Sequence, residues 1–349
     1  MSKISDTQLF SILICIRAFG LICSGTVPDA SHMAGAAISV FLQFLFALPM
    51  ILLYRRYSFS LSKDMLFGRF GMLLYTLFFI TGGATSFSSL WNVSKSVYFP
   101  VDSSLACAII TAVVCLYCAS LKLSALSRSS VIIAGILFFS FAVLIIGAYP
   151  NADLANYVPD ANLKGTLRSA MENFCSSGEL VVLFILLDSS KQGNKGTTAF
   201  FTGSFLLTQL LYIIEITVLG NLITISDFPF FSAGAFSQPM SIQRSDSLYM
   251  ITFTLLCVLT VTTQLIISSM LIERIVPELK YNKLLSVLLM LCLSAAISSA
   301  GFDITIPMGI MTALLSVVLP LIMLLRRVYD EKKNNRSVGG NADAVRVQS

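Results

Sequence analysis

Two glutamates stand seven residues apart in a stretch that is otherwise suited to hydrocarbon. Glu172 and Glu179 flank the tripeptide Ser-Ser-Gly at 176–178, and residues 180–187 are wholly apolar. On an intact helix the two carboxylates would share a face, about 10.5 Å apart along the axis. Serine can bond to the local backbone instead of continuing the helix, and glycine weakens a helix interior. We therefore predict a helix break between the two acids.

The break gives the two carboxylates different roles. Glu172 would remain on the outer half-helix and face an outer vestibule. Glu179 would begin the inner half-helix, where the helix dipole favours a carboxylate. The free backbone N–H groups at that position can instead hold the carboxylate of a ligand. Glu179 is therefore the better candidate for function.

Two further ionisable residues, Arg17 and Glu215, lie inside apolar stretches. A charged side chain at the centre of a membrane helix costs at least about 2.5–3.5 kcal/mol, so such groups usually pair or line a wet cavity. Arg17 and a glutamate form either a structural ion pair or part of a binding site. Glu215 is either a structural acid kept protonated by burial or a proton carrier.

A polar stripe and a glycine-rich segment add uncharged candidates. Thr260, Thr263, Gln264 and Ser268 fall on one face of a helix. The segment 82–86, Gly-Gly-Ala-Thr-Ser, is polar and flexible enough to line a cavity. Both features favour either hydrogen bonds between helices or a surface for an ion or substrate.

The elements that must position these residues are membrane helices. Of 349 residues, 56% are hydrophobic and 12% are charged, whereas soluble proteins carry about 25% charged residues. The apolar runs are too long and continuous for barrel strands, so the chain is predicted to be an all-α polytopic membrane protein. The ten predicted spans are 7–25, 33–54, 66–91, 104–121, 129–149, 166–187, 198–224, 247–272, 282–300 and 307–325.

The basic residues predict the orientation. Of the 23 lysines and arginines, Arg17 lies in a span and four fall in loops opposite the termini, namely Lys95, Lys164, Arg168 and Arg244. All others lie on the side of the two termini, which are therefore predicted to be cytoplasmic. We expect a transmembrane domain over 1–328 and a disordered cytoplasmic tail over 329–349. The outer loops 150–165 and 225–246 are either irregular connectors or lids.

Several kinds of chemistry lack the residues they need. The eight cysteines all lie in predicted spans, and the pair Cys115 and Cys118 has neither a second cysteine pair nor a histidine beside it. His32 is the sole histidine. We predict no metal, no cofactor and no enzymatic activity. The net charge of +5 follows from the basic loops and predicts no nucleic acid partner.

Ten spans divide into two halves of five, about 7–149 and 166–325. An odd number of spans per half makes the halves face opposite ways, as in transporters built from inverted repeats. Such proteins carry broken helices at matching positions. Here the first span of one half has Arg17 followed by Gly20 and Gly25, and the first span of the other is broken at 176–178. Close packing of helices is the alternative reason for these small residues.

Three places in the chain resemble the B subunit of endospore germinant receptors, the spore germination permease family of the amino acid–polyamine–organocation transporter superfamily. The first is Ile-Ser-Asp-Thr-Gln-Leu-Phe at 4–10, leading into Arg17. The second is 173–187 with Gly-Glu-Leu-Val at 178–181, and the third is Arg-Ser-Asp-Ser-Leu at 244–248. The resemblance covers about 4–328. One departure is Ala-Phe-Gly after Arg17, where related permeases often have a closer glycine pair.

The resemblance implies a five-plus-five inverted repeat that binds a small nutrient, commonly an amino acid, between spans one, three, six and eight. It also implies an A-type membrane subunit and a C-type lipoprotein as partners in the inner membrane of a spore, and it places Gly20, Gly178 and Glu179 at the ligand. The ligand-binding residues that we predict are Arg17, Gly20, Gly83, Gly178, Glu179 and Thr263. A possible proton or ion site comprises Glu179, Glu215, Thr260 and Gln264.

Two functions remain open on the sequence. The first is a nutrient-sensing receptor subunit whose ligand shifts a conformational equilibrium that its partner subunits read. The second is an autonomous amino acid permease of the cell membrane, coupled to protons or sodium, with Glu179 or Glu215 as the proton carrier.

Overall fold

The computed structural model describes residues 4–57, 68–98, 104–159, 161–190, 194–237, 246–300, 304–329 and 331. Within these ranges the chain is built from helices, and its single β feature is an isolated parallel bridge between Ile4 and Ser190. The helices are α1 (Asp6–Ile22), α2 (Ala30–Arg56), α3 (Arg69–Val93), α4 (Ser104–Ser120), α5 (Lys122–Ala148), α6 (Leu163–Cys175), α7 (Glu179–Leu187), α8 (Asn194–Leu219), α9 (Pro229–Phe236), α10 (Asp246–Ile275), α11 (Asn282–Ala300) and α12 (Thr305–Ala313). A π-helical turn, Leu314–Val318, extends α12 toward Tyr329.

The chain is an all-α polytopic membrane protein. In the described ranges seven helices are long and apolar enough to cross a membrane, namely α2, α3, α5, α8, α10, α11 and the continuous helix Ile306–Tyr329 that α12 begins. The pair α6 and α7, bent by 44°, forms one further broken span or a re-entrant loop. The runs predicted at 7–25 and 104–121 correspond to α1 and α4, with 17 residues each. Each is about 25 Å long, which is at the lower end of the range for a spanning helix.

α1 is continuous, and the break predicted in the first span is absent from the structure. The helix begins with a capping box, in which Ser5 Oγ accepts from the Gln8 backbone N–H and Gln8 Oε1 accepts from that of Ser5. It then runs unbroken through Arg17 and Gly20 to Ile22. A single glycine costs only about 1 kcal/mol in a helix. The apolar side chains that α1 buries on most of its surface outweigh that cost.

The break predicted at 176–178 is confirmed. α6 ends at Cys175, and α7 begins at Glu179. Ser176 Oγ donates to the Asn173 carbonyl at 3.0 Å, and Ser177 Oγ donates to that of Phe174 at 2.5 Å. The two hydroxyls thus occupy the last carbonyls of α6, which is how serine competes with helix continuation. All nine residues of α7 are buried.

α1 and α7 lie at the centre of the fold. α1 packs against α5, α8, α10 and α7, and α3 packs against α10 and α11. α2 packs along α6, where Gly35 permits close approach. A β-carbon at Gly35 would lie 2.7 Å from both Ser169 Cβ and the Thr166 carbonyl oxygen. Two contacts hold the far end of α7. The Ile4 backbone N–H donates to the Ser189 carbonyl at 2.8 Å, and Arg274 Nη2 lies 3.8 Å from Asp188 Oδ2.

The two long loops are ordered over most of their described lengths. Residues 149–156 form two 3₁₀ turns tied to α8, because the Asp153 N–H donates to the Thr217 carbonyl at 2.9 Å. α9 lies within the loop 225–246 and buries Phe230 and Phe231. Positions 238–245 of that loop, and 332–349 of the predicted disordered tail, lie outside the described residues.

Candidate functional site

A buried ion pair lies at the break between α6 and α7. Arg17 Nη1 is 3.5 Å from Glu179 Oε1, and each side chain is 3% exposed. Arg17 Nη2 donates to Asn173 Oδ1 at 3.3 Å. The third donor group of the guanidinium, Nε, is buried and makes no hydrogen bond to any described residue. The structure therefore brings together the two predicted charged residues and leaves one arginine N–H unused.

The break explains how two residues of one segment reach the same guanidinium. Asn173 and Glu179 are six positions apart, so on an intact helix they would point about 120° away from each other. The 44° bend between α6 and α7 removes that constraint. Asn173 is itself held in place, because its Nδ2 donates to the Ser169 carbonyl at 3.1 Å. Glu179 occupies the first turn of α7, where the helix dipole favours a carboxylate.

Most backbone N–H groups at the break are already used within the turn. Those of Leu180 and Val181, at the start of α7, donate to the carbonyls of Ser177 and Gly178 at 3.1 Å. The N–H groups of Ser176, Ser177 and Gly178 donate to the carbonyls of Glu172, Phe174 and Ser176, respectively, at 3.0–3.1 Å. The turn is tight enough to satisfy its own donors. The Arg17 guanidinium, with its unused Nε, is a charged donor at the break for an anionic ligand group.

α8 carries a second buried acid, one turn from Tyr212. Glu215 is 4% exposed and makes no hydrogen bond or ion pair with the described part of the chain. Tyr212, one turn earlier on the same helix, is buried beside Asn173 and within electrostatic range of Arg17 and Glu215. The polar cluster, defined as Arg17, Asn173, Glu179, Tyr212 and Glu215, thus draws on four helices.

The sequence analysis did not single out Asn173 or Tyr212. Asn173 stands within the resembling stretch 173–187, but only the bend aims it at Arg17. The sole signal for Tyr212 is its position three residues before Glu215, which puts both on one side of α8. Such spacing is common in membrane helices and does not identify a site.

The two glycines predicted at the ligand differ in their surroundings. A β-carbon at Gly178 would lie 3.5 Å from the ring of Phe78, which is ordinary contact. At Gly20 a β-carbon would meet no heavy atom within 4 Å. Gly20 therefore lies next to open space one turn beyond Arg17, whereas Gly178 belongs to the turn that leads into Glu179.

The remaining predicted residues lie at the packing interfaces of α3, α10 and α11. A β-carbon at Gly83 would come within 2.5 Å of Met290 Sδ, so this glycine permits α3 to pack on α11. A β-carbon at the neighbouring Gly82 would lie 3.1 Å from Gln264 Nε2 of α10. Thr263 is fully buried, and its hydroxyl donates to the Leu259 carbonyl at 2.7 Å. Packing accounts for Gly83, and a backbone hydrogen bond accounts for the Thr263 hydroxyl.

Two atoms of the α10 stripe remain unused. Thr260 Oγ1 and Gln264 Oε1 are buried and make no hydrogen bond to the described residues. They lie four residues apart, hence on one face of α10. Unsatisfied buried oxygens of this kind are suited to a cation or an ordered water. No hydrogen bond or ion pair between described residues joins them to Arg17 or Glu179.

Glu172 lies outside the cluster. Its Oε1 accepts from Arg168 Nε at 2.8 Å, and the two side chains are 45% and 81% exposed, respectively. In the described part of the chain no group of three or more His, Cys, Asp or Glu side chains could hold a metal ion.

No protein-family model matches the chain, and no curated protein is detectably similar to it in sequence.

Proposed function

We propose that this chain is the nutrient-sensing membrane subunit of a spore germinant receptor and binds an amino acid-sized ligand at the midplane of a transporter-like fold. The observation that carries the proposal is the buried Arg17–Glu179 pair at the helix break, with its unused Arg17 Nε. The three motifs that resemble the receptor family add to it. Charged groups inside a membrane protein mark a functional site by default.

The ion pair has the two charges that a zwitterion needs. A ligand carboxylate would bind the Arg17 guanidinium through two parallel hydrogen bonds, which is its strongest mode. The ligand ammonium group would bind Glu179 and Asn173 Oδ1. The distance between Arg17 Nη1 and Glu179 Oε1 is long, at 3.5 Å. When a ligand separates the two side chains, little direct interaction between them is therefore lost.

α7 is suited to pass a change at this site to the far side of the protein. One end carries Glu179, and the other is followed by Asp188 and Ser189, which contact Arg274 and Ile4. The helix between them is short and fully buried. A ligand shifts an equilibrium between two positions of α7 only if it binds one of them more tightly than the other. Movement of Glu179 on binding would provide that difference.

The finer architecture belongs to the same proposal. We infer ten spans in a five-plus-five inverted repeat, with α1 and α4 counted among them and both termini in the cytoplasm. We place the chain in the inner membrane of a spore with an A-type membrane subunit and a C-type lipoprotein. These assignments rest on the basic loops and on the resemblance.

The direct test is ligand binding by the purified chain, alone and with its partner subunits. Calorimetry and thermal stabilisation against a panel of amino acids, sugars and nucleosides should give one saturable ligand class. Arg17→Gln and Glu179→Gln should each abolish that response. Arg168→Gln and Glu172→Gln, in the exposed pair of the same residue types, should leave it intact. The absence of saturable binding across the panel, with partner subunits present, would remove the basis of the proposal.

The second candidate is an autonomous proton-coupled amino acid permease, favoured by one observation. Glu215 is a buried acid one turn from Tyr212 on α8 and makes no hydrogen bond or ion pair with the described residues, which suits a group that takes up and releases a proton. Liposomes containing the chain alone should then accumulate amino acid under an imposed proton gradient, and Glu215→Gln should abolish that uptake. Uptake that never appears without partner proteins favours the receptor.

A further inference from the structure

A groove of about 640 Å³ runs along the outside of α8, away from the polar cluster. One wall is the ring of Phe10 on α1, which stacks on Phe138 of α5 with 6.5 Å between ring centroids. The floor lies at Gly203, where a β-carbon would come within 3.0 Å of the Phe10 ring. Glycine at this position brings α1 and α8 together and leaves a channel beside their contact.

The lining of the groove is graded in polarity along α8. Lys195 lies at the start of this candidate membrane span, Thr198 and Thr202 follow at successive turns, and Leu206 lies deepest. These four side chains are exposed, and they cover about 16 Å of helix length. The order is therefore a cation at the membrane boundary, then two hydroxyls, then an apolar side chain. An anionic phospholipid has the complementary order of phosphate, glycerol esters and acyl chain.

The two threonine hydroxyls are free to bind a guest. Several threonine hydroxyls in the described helices donate to the carbonyl four residues earlier, as those of Thr208 and Thr217 on the same helix do at 2.8 Å and 2.7 Å, respectively. Thr198 and Thr202 make no such bond with the described residues. The hydroxyls of Thr198 and Thr202 are therefore available to hydrogen-bond a molecule that occupies the groove.

We propose that this groove is a binding site for one anionic phospholipid of the adjoining leaflet. Lys195 binds the phosphate, and the hydroxyls of Thr198 and Thr202 donate to the glycerol ester carbonyls. An acyl chain lies against Phe10, Ala199 and Leu206. One wall of the groove belongs to α1, and Arg17 lies two turns beyond Phe10 on that helix. The lipid therefore also packs against and stabilises the helix that carries Arg17. This inference does not depend on the identity of the nutrient ligand.

The test measures retained lipid. The purified chain is placed in phosphatidylcholine nanodiscs that contain a small fraction of phosphatidylglycerol, and native mass spectrometry counts the lipid that remains bound. Wild type should retain one phosphatidylglycerol in preference to phosphatidylcholine. Lys195→Gln should reduce that retention about fivefold, the share of one basic residue near a membrane surface. Lys280→Gln, an exposed lysine outside the groove, is the matched control and should change nothing.

Two further variants test the shape and the hydroxyl groups of the groove while the charge of Lys195 is retained. Ala199→Phe fills the channel with Lys195 intact and should abolish retention. Thr198→Val with Thr202→Val removes the hydroxyls at constant shape and should reduce retention. Thermal unfolding confirms that each variant is folded. Equal retention of phosphatidylglycerol by wild type, Lys195→Gln and Ala199→Phe would overturn the proposal. So would displacement of the lipid by inorganic phosphate alone, which would reveal a simple anion site.

Discussion

Two of the arginine–glutamate pairs in the protein, one exposed and one buried, rank in opposite order by distance and by burial. Arg168 and Glu172 lie 2.8 Å apart on α6, and their side chains are 81% and 45% exposed, respectively. Arg17 and Glu179 lie 3.5 Å apart, join α1 to α7, and are each 3% exposed. Distance alone would rank the first pair as the stronger. Burial reverses that order.

The reversal follows from what each group loses when its partner is removed. An exposed pair at i and i+4 contributes about 0.3–0.5 kcal/mol, because water replaces the lost partner. Removing one member of a buried pair costs about 3–5 kcal/mol, since a charge is left without water or counter-charge. Pairs of the same residue types should therefore contribute little to stability at the surface and much more in the interior. The polar cluster should respond to substitution far more strongly than the outer face of α6.

The largest effect is expected from Arg17→Gln. It leaves the Glu179 carboxylate buried without its counter-charge and should lower the free energy of unfolding by about 3–5 kcal/mol. Denaturant unfolding in detergent micelles, followed by circular dichroism, measures this change. The double variant Arg17→Gln with Glu179→Gln should recover part of the loss, because neither charge then remains. A loss below about 1 kcal/mol for Arg17→Gln would show that water reaches the pair, as in exposed pairs.

The next effect concerns the face of α6 that packs on α2. Gly35→Ala would set a methyl group 2.7 Å from the Thr166 carbonyl oxygen and from Ser169 Cβ. The backbone must then move, and we expect a loss of about 1–3 kcal/mol. Gly83→Ala is the matched control, because its close neighbour is the flexible end of Met290. Thermal unfolding in detergent compares the two, and equal losses would mean that α6 is not held against α2 by this contact.

The sequence predicted the membrane helices and the break at 176–178 because both depend on local composition. Long apolar runs must form helices in lipid, and a Ser-Ser-Gly tripeptide weakens any helix that contains it. The sequence also indicated that Arg17 would pair with a glutamate or line a binding site, since charges in a membrane helix need partners, but it did not identify Glu179 as that partner. Each of these features follows from the residues without knowledge of their neighbours in space.

The features that the sequence did not predict depend on tertiary packing. Gly20 suggested a break, yet α1 stays helical because its apolar side chains are buried on most sides. Gly83 suggested a cavity, but Met290 of α11 fills the space beside it. The backbone donors of the turn at 176–178 are satisfied by carbonyls whose positions only the folded turn defines. A glycine in a membrane helix does not by itself distinguish a break from a close contact.

Gly20→Ala tests that distinction with a smaller effect. The added methyl group meets no heavy atom within 4 Å, and alanine is the better helix former by about 1 kcal/mol. We expect the variant to be stabilised by up to about this amount in thermal unfolding. If the ligand-bound state unwinds α1 at Gly20, the same change should weaken ligand binding by a similar free energy. A destabilised variant would show that the space beside Gly20 is filled.

The smallest effects are expected at the exposed pair. Arg168→Gln and Glu172→Gln should each change the free energy of unfolding by less than about 0.5 kcal/mol. The change should shrink further in high salt, because exposed charges are screened. Unfolding of both variants and of Arg17→Gln at low and high salt gives a direct comparison, since burial keeps the Arg17–Glu179 pair from being screened. If Arg168→Gln were as damaging as Arg17→Gln, the Arg168–Glu172 pair would have to be enclosed in the membrane-embedded protein, and burial would then rank the two pairs alike.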